Sequence, residues 1–444
     1  MNRLAQGGRI QRDHPIRFFF NGKSYQGYKG DTLASALLAN GVLRVARSFK
    51  LHRPRGILSA GVEEPNALVQ LFDGAHTVPN ARATEVELVE GLTAHSVHAR
   101  PNPDWDLRAV QGWFSRLLPA GFYYKTFMAS QKAWHFFEPH IRRASGLGES
   151  PAAPDPEHYE KRFAHCDVLV VGAGLSGLAA ALAAAQTGLR VMVCDEQAEP
   201  GGWLLTSRER IDGMPATQWV AQTLARLRAL PDVQVLSRTT AFGYHDHDFV
   251  TLAERLSDHD PRSLALPYRE RLWKVRARQV IVATGAHERP VVFARNDLPG
   301  IMLASAVCTY VRRYAVRPGR QAIILTNNSQ AYDCALALHE AGARVQVVDV
   351  RARPDGAAVD TVRAAGIDVL SGHGVIEAQG LRALRGARVQ ALDEQGQAHG
   401  PVRDLPCDLL AVSGGFSPVL HLHAQAGGKA QWEPSIAAFV PTGR

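Results

Sequence analysis

From residue 166 the apolar positions follow a fixed order. Residues 166–171 are a nearly unbroken apolar run, residues 178–185 are rich in alanine and leucine, and residues 191–194 are apolar again. An unbroken run suits a strand buried on both faces, and the longer run between suits a helix. The same strand–helix–strand order recurs in RQAIILTNNSQAYDCALALHEAGARVQVVDV, within a second unit over about 317–375. Nearer the start, IRFFFNGKSYQGY places two apolar or aromatic runs around Asn21-Gly22, whose residues tolerate φ > 0, and so predicts a hairpin. GDTLASALLANGV predicts a helix capped by Asp31 or Thr32, with Leu33, Ala36, Leu37 and Ala39 inward and Gly41 at its end. Further short strands are expected over 67–72 and 84–88.

These patterns divide the chain into three stretches. Residues 1–100 read as a small β-grasp domain. Residues 101–165 are an aromatic-rich connecting segment and linker, and residues 166–444 a Rossmann-type α/β domain. The connecting segment concentrates Trp105, Trp113, Phe114, Phe122, Tyr123, Tyr124, Phe127, Trp134, Phe136 and Phe137, although only 7% of the chain is aromatic. Such density points to packing, within the chain or against another subunit. The proline-rich residues 150–165 read as a linker.

Composition narrows the function classes. With 444 residues, 46% hydrophobic, the chain has enough core for two or three domains. Lys and Arg number 50 against 42 Asp and Glu. The basic run Arg44, Arg47, Lys50, His52, Arg53, Arg55 suits a solvated face, a partner subunit or a cofactor phosphate. Interleaved stacking aromatics are scarce there, which disfavours nucleic acid. No apolar run approaches the roughly 18 residues of a membrane span, and the first residues lack a secretory apolar core. The five cysteines, Cys166, Cys194, Cys308, Cys334 and Cys407, are far apart, which favours a reduced cytoplasmic protein without disulfides. None lies in the first 165 residues. The 18 histidines, His245, His247, His421 and His423 among them, show no metal-ligand spacing, so no metal site is expected.

The turn after the first apolar run is G-A-G-L-S-G. Gly172 permits the tight turn, Gly174 lets a phosphate approach the helix N-terminus, and Gly177 lets helix and strand pack closely. Asp195, 23 positions after Gly172, closes the second strand where a carboxylate would meet ribose hydroxyls. An adenine dinucleotide is therefore expected. A 2′-phosphate would face Asp195 and Glu196, which leaves NAD and FAD. EPGGWLL (199–205) and QVIVATGAHERP (279–290) resemble the glycine pair and the A-T-G turn of two-dinucleotide flavoproteins. In that fold a strand ending near Ala241 and Phe242 runs beside the adenine. The second unit's turn, residues 326–331, has no glycine, so a retained fold without a second nucleotide is expected. No cysteine pair follows Gly201-Gly202, and Cys194 lies within a strand. Disulfide-reductase chemistry is therefore not expected. The strand and helix that close this fold should follow residue 415, yet the sequence ends at Arg444.

The opening strands and helix resemble a [2Fe–2S] ferredoxin domain, with RVARSFKLHRPRGILSAGVEEPNALV where cluster cysteines would stand. Together with WFSRLLPAGFYYKTFM, GAGLSG, DEQAEPGG and AVSGGFSPVLHLHAQAGGK, these segments resemble the N-terminal half of the alpha subunit of heterotetrameric sarcosine oxidases. The resemblance implies non-covalent NAD on this chain, held by Gly172, Gly174, Ser176, Gly177, Asp195, Glu196, Gln197 and Trp203, with Phe242 nearby. It also implies a beta subunit and smaller subunits. Sarcosine would be oxidised at FAD in the beta subunit, with covalent FMN at its interface, and the folate-binding half of alpha would be absent here. No catalytic residue is expected on this chain. The alternative is a stand-alone FAD-dependent oxidoreductase related to opine or cyanide-forming glycine dehydrogenase subunits. The length reads as about half of a larger subunit.

Overall fold

A computed structural model describes residues 2–110, 112, 130–260 and 267–442. Trp113, Phe114, Phe122, Tyr123, Tyr124 and Phe127 lie outside the described residues. The chain forms two compact units: Met1–Pro156 with Pro290–Gly414, and Glu157–Arg289 with Gly415–Arg444.

The first unit begins with the expected hairpin. Strands Gln11–Phe20 and Lys23–Lys29 pair antiparallel, Phe20 opposite Lys23, around Asn21 and Gly22 at φ +48° and +75°. Both positive values are what a two-residue hairpin turn requires. They join Thr93–Ser96, Leu68–Leu71 and Val78–Arg82 in a five-stranded sheet. Helix Leu33–Ala39 is capped by Thr32, whose side chain accepts from Ser35 N–H while Ser35 reaches back to Thr32 N–H. All seven of its residues are buried. Burial of Leu33, Leu37 and Leu38 contributes about 1.5–3 kcal/mol each. Residues 84–88 are not the expected strand. They make one isolated bridge, Thr32 to Glu87, and their backbone serves the helix start: Leu33 N–H donates to Val86 and Leu88 N–H to Asp31.

The later part of this unit is a parallel sheet in the order Ile301–Leu303, Leu409–Ser413, Gln321–Thr326, Arg344–Asp349, Asp368–Ser371. One apolar core runs from Phe18 and Leu37 of the β-grasp to Tyr310, Ile324 and Val412. That continuity explains why residues 290–414 group with the β-grasp. The expected single domain over 166–444 is accordingly divided between the two units.

The second unit is a six-stranded sheet: Val233–Leu236, Val191–Cys194, Tyr159–Val171, Glu270–Val282, Phe249–Arg255, Thr239–His245. The first four are parallel, and Phe249–Arg255 pairs antiparallel with both Glu270–Val282 and Thr239–His245. Helices Leu175–Gln186 and Ala216–Arg228 supply Leu178, Ala181, Val220 and Leu227 to the core on one face. Leu422, from His421–Gln425, joins the other core beside Leu169 and Val250. Residues 415–442 thus return to this unit: Glu288 pairs with Phe416, and Thr284 Oγ1 donates to the Val419 carbonyl at 2.9 Å. The linker read over 150–165 also needs correction, since 159–165 are strand, paired in register with 270–276. No helix among the described residues is long and apolar enough to cross a membrane.

Candidate dinucleotide site

The strand Tyr159–Val171 ends at Gly172, whose φ of +98° only glycine adopts readily. A Cβ there would lie 2.3 Å from the Ala283 carbonyl oxygen, so the loop also presses against the A-T-G turn. Gly172 N–H donates to the Cys194 carbonyl (2.8 Å) and Ala283 N–H to the Val171 carbonyl (2.8 Å). At Gly177 a Cβ would fall 1.8 Å from the Gly172 carbonyl oxygen. Two of the three glycines are therefore demanded by the protein itself.

Gly174 differs. A Cβ added there meets nothing within 4 Å, and its φ of −76° is ordinary. It is the N-cap of helix Leu175–Gln186, and no side chain caps that end. Uncapped N–H groups and the helix dipole together favour an anion. Gly202 closes the opposite side, where a Cβ would come within 3.3 Å of Gly174 Cα. The glycine loop and the Gly201-Gly202 pair, 27 positions apart at Gly174 and Gly201, thus form one open cradle.

Asp195 is buried, 9% exposed, and its geometry differs from a plain ribose ligand. Oδ2 accepts from Ala173 N–H at 2.7 Å and Oδ1 from Gln197 N–H at 2.8 Å. The carboxylate braces the glycine loop against the turn that follows it. Glu196, half-buried, comes next, and its carbonyl accepts from Arg255 Nη2 at 3.2 Å. Thr239 N–H donates to the Asp195 carbonyl (2.8 Å), so the strand bearing Phe242 starts at this turn.

Phe242 is the extra residue of a β-bulge: Ala241 pairs with Leu252 and Gly243 with Thr251. A bulge re-aims the side chain it inserts, and Phe242 stands 51% exposed. Trp203, directly after Gly202, is 57% exposed, and Ser176 is exposed in the first helical turn. The structure brings together Gly172, Gly174, Gly177, Asp195, Gln197 and Gly202, with Glu196 and Trp203 adjacent in the chain. Ser176 directly precedes Gly177 in the chain, and Phe242 lies on the strand that starts at the Asp195 turn. Arg255 escaped the sequence reading because it ends an ordinary strand, FVTLAER, with no local motif. Burial pushes the Cys194 thiol up to about 12, so it stays protonated beneath the loop at neutral pH.

The second fold is arranged otherwise. Asn328 Nδ2 donates to Ser413 Oγ at 2.9 Å, and its Oδ1 accepts from Gln330 N–H at 3.1 Å. Thr326 Oγ1 accepts from Asn328 N–H at 3.0 Å. Asp349, fully buried, accepts from the Tyr332 hydroxyl at 2.8 Å and from Arg351 Nε and Nη2 at 3.0 and 2.7 Å. Side chains and their hydrogen bonds occupy the turn and the acid.

Residues 166–437 match the family described as pyridine nucleotide-disulphide oxidoreductase. The chain belongs to that family. Its members share the dinucleotide-binding Rossmann-type fold seen around Gly172. Residues 13–99 match the 2Fe-2S iron-sulfur cluster binding domain, although no cysteine occurs before Cys166. The chain is 46% identical over 444 residues to the sarcosine oxidase subunit alpha of Rhizobium meliloti (strain 1021), covering 99% of this chain and 44% of that protein. It is 39% identical to the sarcosine oxidase subunit alpha of Corynebacterium sp. (strain U-96), covering 98% of this chain and 41% of that one. The chain therefore spans less than half the length of these relatives. Among solved structures, the L-proline dehydrogenase from P. horikoshii aligns with TM-score 0.61 at 17% identity, over 100% of this chain and 68% of that one. At that identity the likeness concerns the fold.

Proposed function

We propose that this chain is the nucleotide-binding part of a sarcosine oxidase alpha subunit, holding NAD between the glycine loop and the Gly201-Gly202 turn. The open face of Gly174 carries this reading. It is the one fingerprint glycine whose missing side chain serves no contact within the protein. The helix N-terminus at residues 174–177 would hold the pyrophosphate through backbone N–H groups. Asp195 and Glu196 would take the ribose hydroxyls, and their negative charge would turn away a 2′-phosphate. Trp203 and Phe242 would cover the nucleotide's apolar surfaces.

No group on this chain is assigned to bond-breaking. NAD, when bound, would supply hydride-transfer chemistry, and the residues of the glycine loop and the Gly201-Gly202 turn would hold and orient it. Sarcosine oxidation, with glycine, hydrogen peroxide and a one-carbon unit as products, would occur at flavin in a beta subunit, smaller subunits completing the heterotetramer. The β-grasp would serve as scaffold without a cluster, since cluster ligation requires thiolates.

The test is direct. The purified chain is denatured and the released nucleotide identified by chromatography and absorbance. NAD without FAD is the expected result, and sarcosine-dependent peroxide should appear only after a beta subunit is added. Release of FAD, or peroxide from the chain alone, would overturn the assignment in favour of a self-sufficient flavoprotein.

A further inference from the structure

A β-grasp of the iron–sulfur type without thiolates must fill the place of its cluster in some other way. Fe–S sites commonly lie in concavities of converging backbone N–H groups, which suit an anion. Such a concavity is present here. Glu64 is 2% exposed, and four backbone amides converge on its carboxylate. Leu58 and Ser59 N–H donate to Oε2 at 2.8 and 2.7 Å, and Asn66 and Ala67 N–H donate to Oε1 at 2.8 and 3.0 Å.

The spacing of these residues is informative. Plant-type clusters use C-x4-C-x2-C with a distant fourth cysteine. Ser59, Glu64 and Ala67 stand at that spacing. Ala83 supplies a fourth position beside them, its N–H donating to the Ala67 carbonyl at 2.9 Å. Ser59, Ala67 and Ala83 are all fully buried. The Ser59 hydroxyl has no hydrogen-bond partner, an orphaned polar atom at the first of the four positions. From the later part of the same unit, the buried Tyr310 hydroxyl donates to the Ser59 carbonyl at 2.8 Å and holds the loop from behind.

We propose that residues 58–67 are an anion nest of the cluster-binding kind in which the Glu64 carboxylate is the resident anion. The side chain satisfies the amides that a cluster's sulfurs would otherwise meet. It thereby closes the domain to a cluster and to electron transfer through one. Four donors on two oxygens complement the ionised carboxylate. Burial nonetheless pushes the Glu64 carboxyl upward, and the four amides oppose that rise. The neighbouring Glu63 is less buried and provides a control.

The experiment uses the full chain. Glu64→Ala removes the anion and leaves the amides, and its Tm is expected to fall by about 5 °C or more. Added formate should recover part of that loss saturably, while chloride at equal ionic strength should not. Glu64→Gln, which keeps the size and loses the charge, should expose the Leu58, Ser59, Asn66 and Ala67 amides to faster hydrogen exchange. Glu63→Gln should change neither reading. A Glu64→Gln chain too unstable to fold, beside a normal Glu63→Gln, is the same result at its limit. Unprotected amides in the unaltered chain, a normal Tm for Glu64→Ala, or equal formate effects on both proteins would overturn the proposal.

Discussion

The two nucleotide folds of this chain share a plan and differ in what fills it. Each runs strand, turn, helix, strand, acid, and Asp349 follows Thr326 at the interval by which Asp195 follows Gly172. By that interval Thr326, Asn328 and Ala331 correspond to Gly172, Gly174 and Gly177. In the first fold Gly174 faces open space. In the second, the Asn328 side chain ties the turn to Ser413 and to Gln330 N–H. Asp195 accepts from two backbone amides, whereas Asp349 accepts from the side chains of Tyr332 and Arg351. The fold therefore persists through apolar strands and helix packing. Binding requires, in addition, that certain side chains be missing.

The largest expected effect is at the glycine the first fold needs for itself. Gly177→Ala drives a Cβ into the Gly172 carbonyl, so helix and strand must separate. The expected cost is about 3 kcal/mol in urea unfolding, together with loss of nucleotide binding. Its counterpart, Ala331, is already a buried alanine. Wild-type stability in Gly177→Ala would show that the close packing of the first fold is dispensable and erase this difference.

Removal of the enclosed acid should act on stability alone. Asp349→Ala leaves the fully buried Tyr332 hydroxyl without its acceptor and removes the carboxylate partner of Arg351, whose Nη1 still donates to Ser329 Oγ. A cost of about 1–3 kcal/mol is expected, with nucleotide binding by the first fold unchanged. If instead calorimetry found the chain's NAD stoichiometry reduced, the second fold would be a binding site after all.

What the sequence shows of this contrast follows from the range of the interactions involved. The hairpin at Asn21-Gly22, the Thr32 cap and the strand–helix–strand of 166–195 depend on neighbours within a few residues, so their pattern is local. The strand over 159–165 is not. Its residues YEKRFAH alternate poorly, Phe163 is 75% exposed, and their partners lie at 270–276. The grouping of 290–414 with the β-grasp rests on a core shared across the chain, which no window of sequence displays. Glu64 is unreadable for another reason: its partners are backbone amides, present at nearly every residue, and only the fold aims four of them at one carboxylate. Within the site, the glycines are legible as a motif. Their division into two structural glycines and one open one needs the geometry.

The smallest change sharpens the comparison most. Gly174→Ala places a methyl group where no protein atom lies within 4 Å, at a backbone conformation alanine accepts. Stability should fall by no more than about 1 kcal/mol, the cost of alanine in place of glycine at a helix N-cap, because neither packing nor strain changes. A bound pyrophosphate would meet the methyl, so NAD affinity should fall at least about tenfold, roughly 1.4 kcal/mol. The reverse substitution, Asn328→Gly, should gain no binding in the second fold, because Arg351 and Tyr332 still enclose Asp349. Loss of affinity beyond the small capping cost in one fold, and no gain in the other, separates a turn shaped for a ligand from one filled by its own side chains. Unchanged NAD affinity in Gly174→Ala would place the nucleotide elsewhere, since a pyrophosphate at this helix start would have to meet that methyl group.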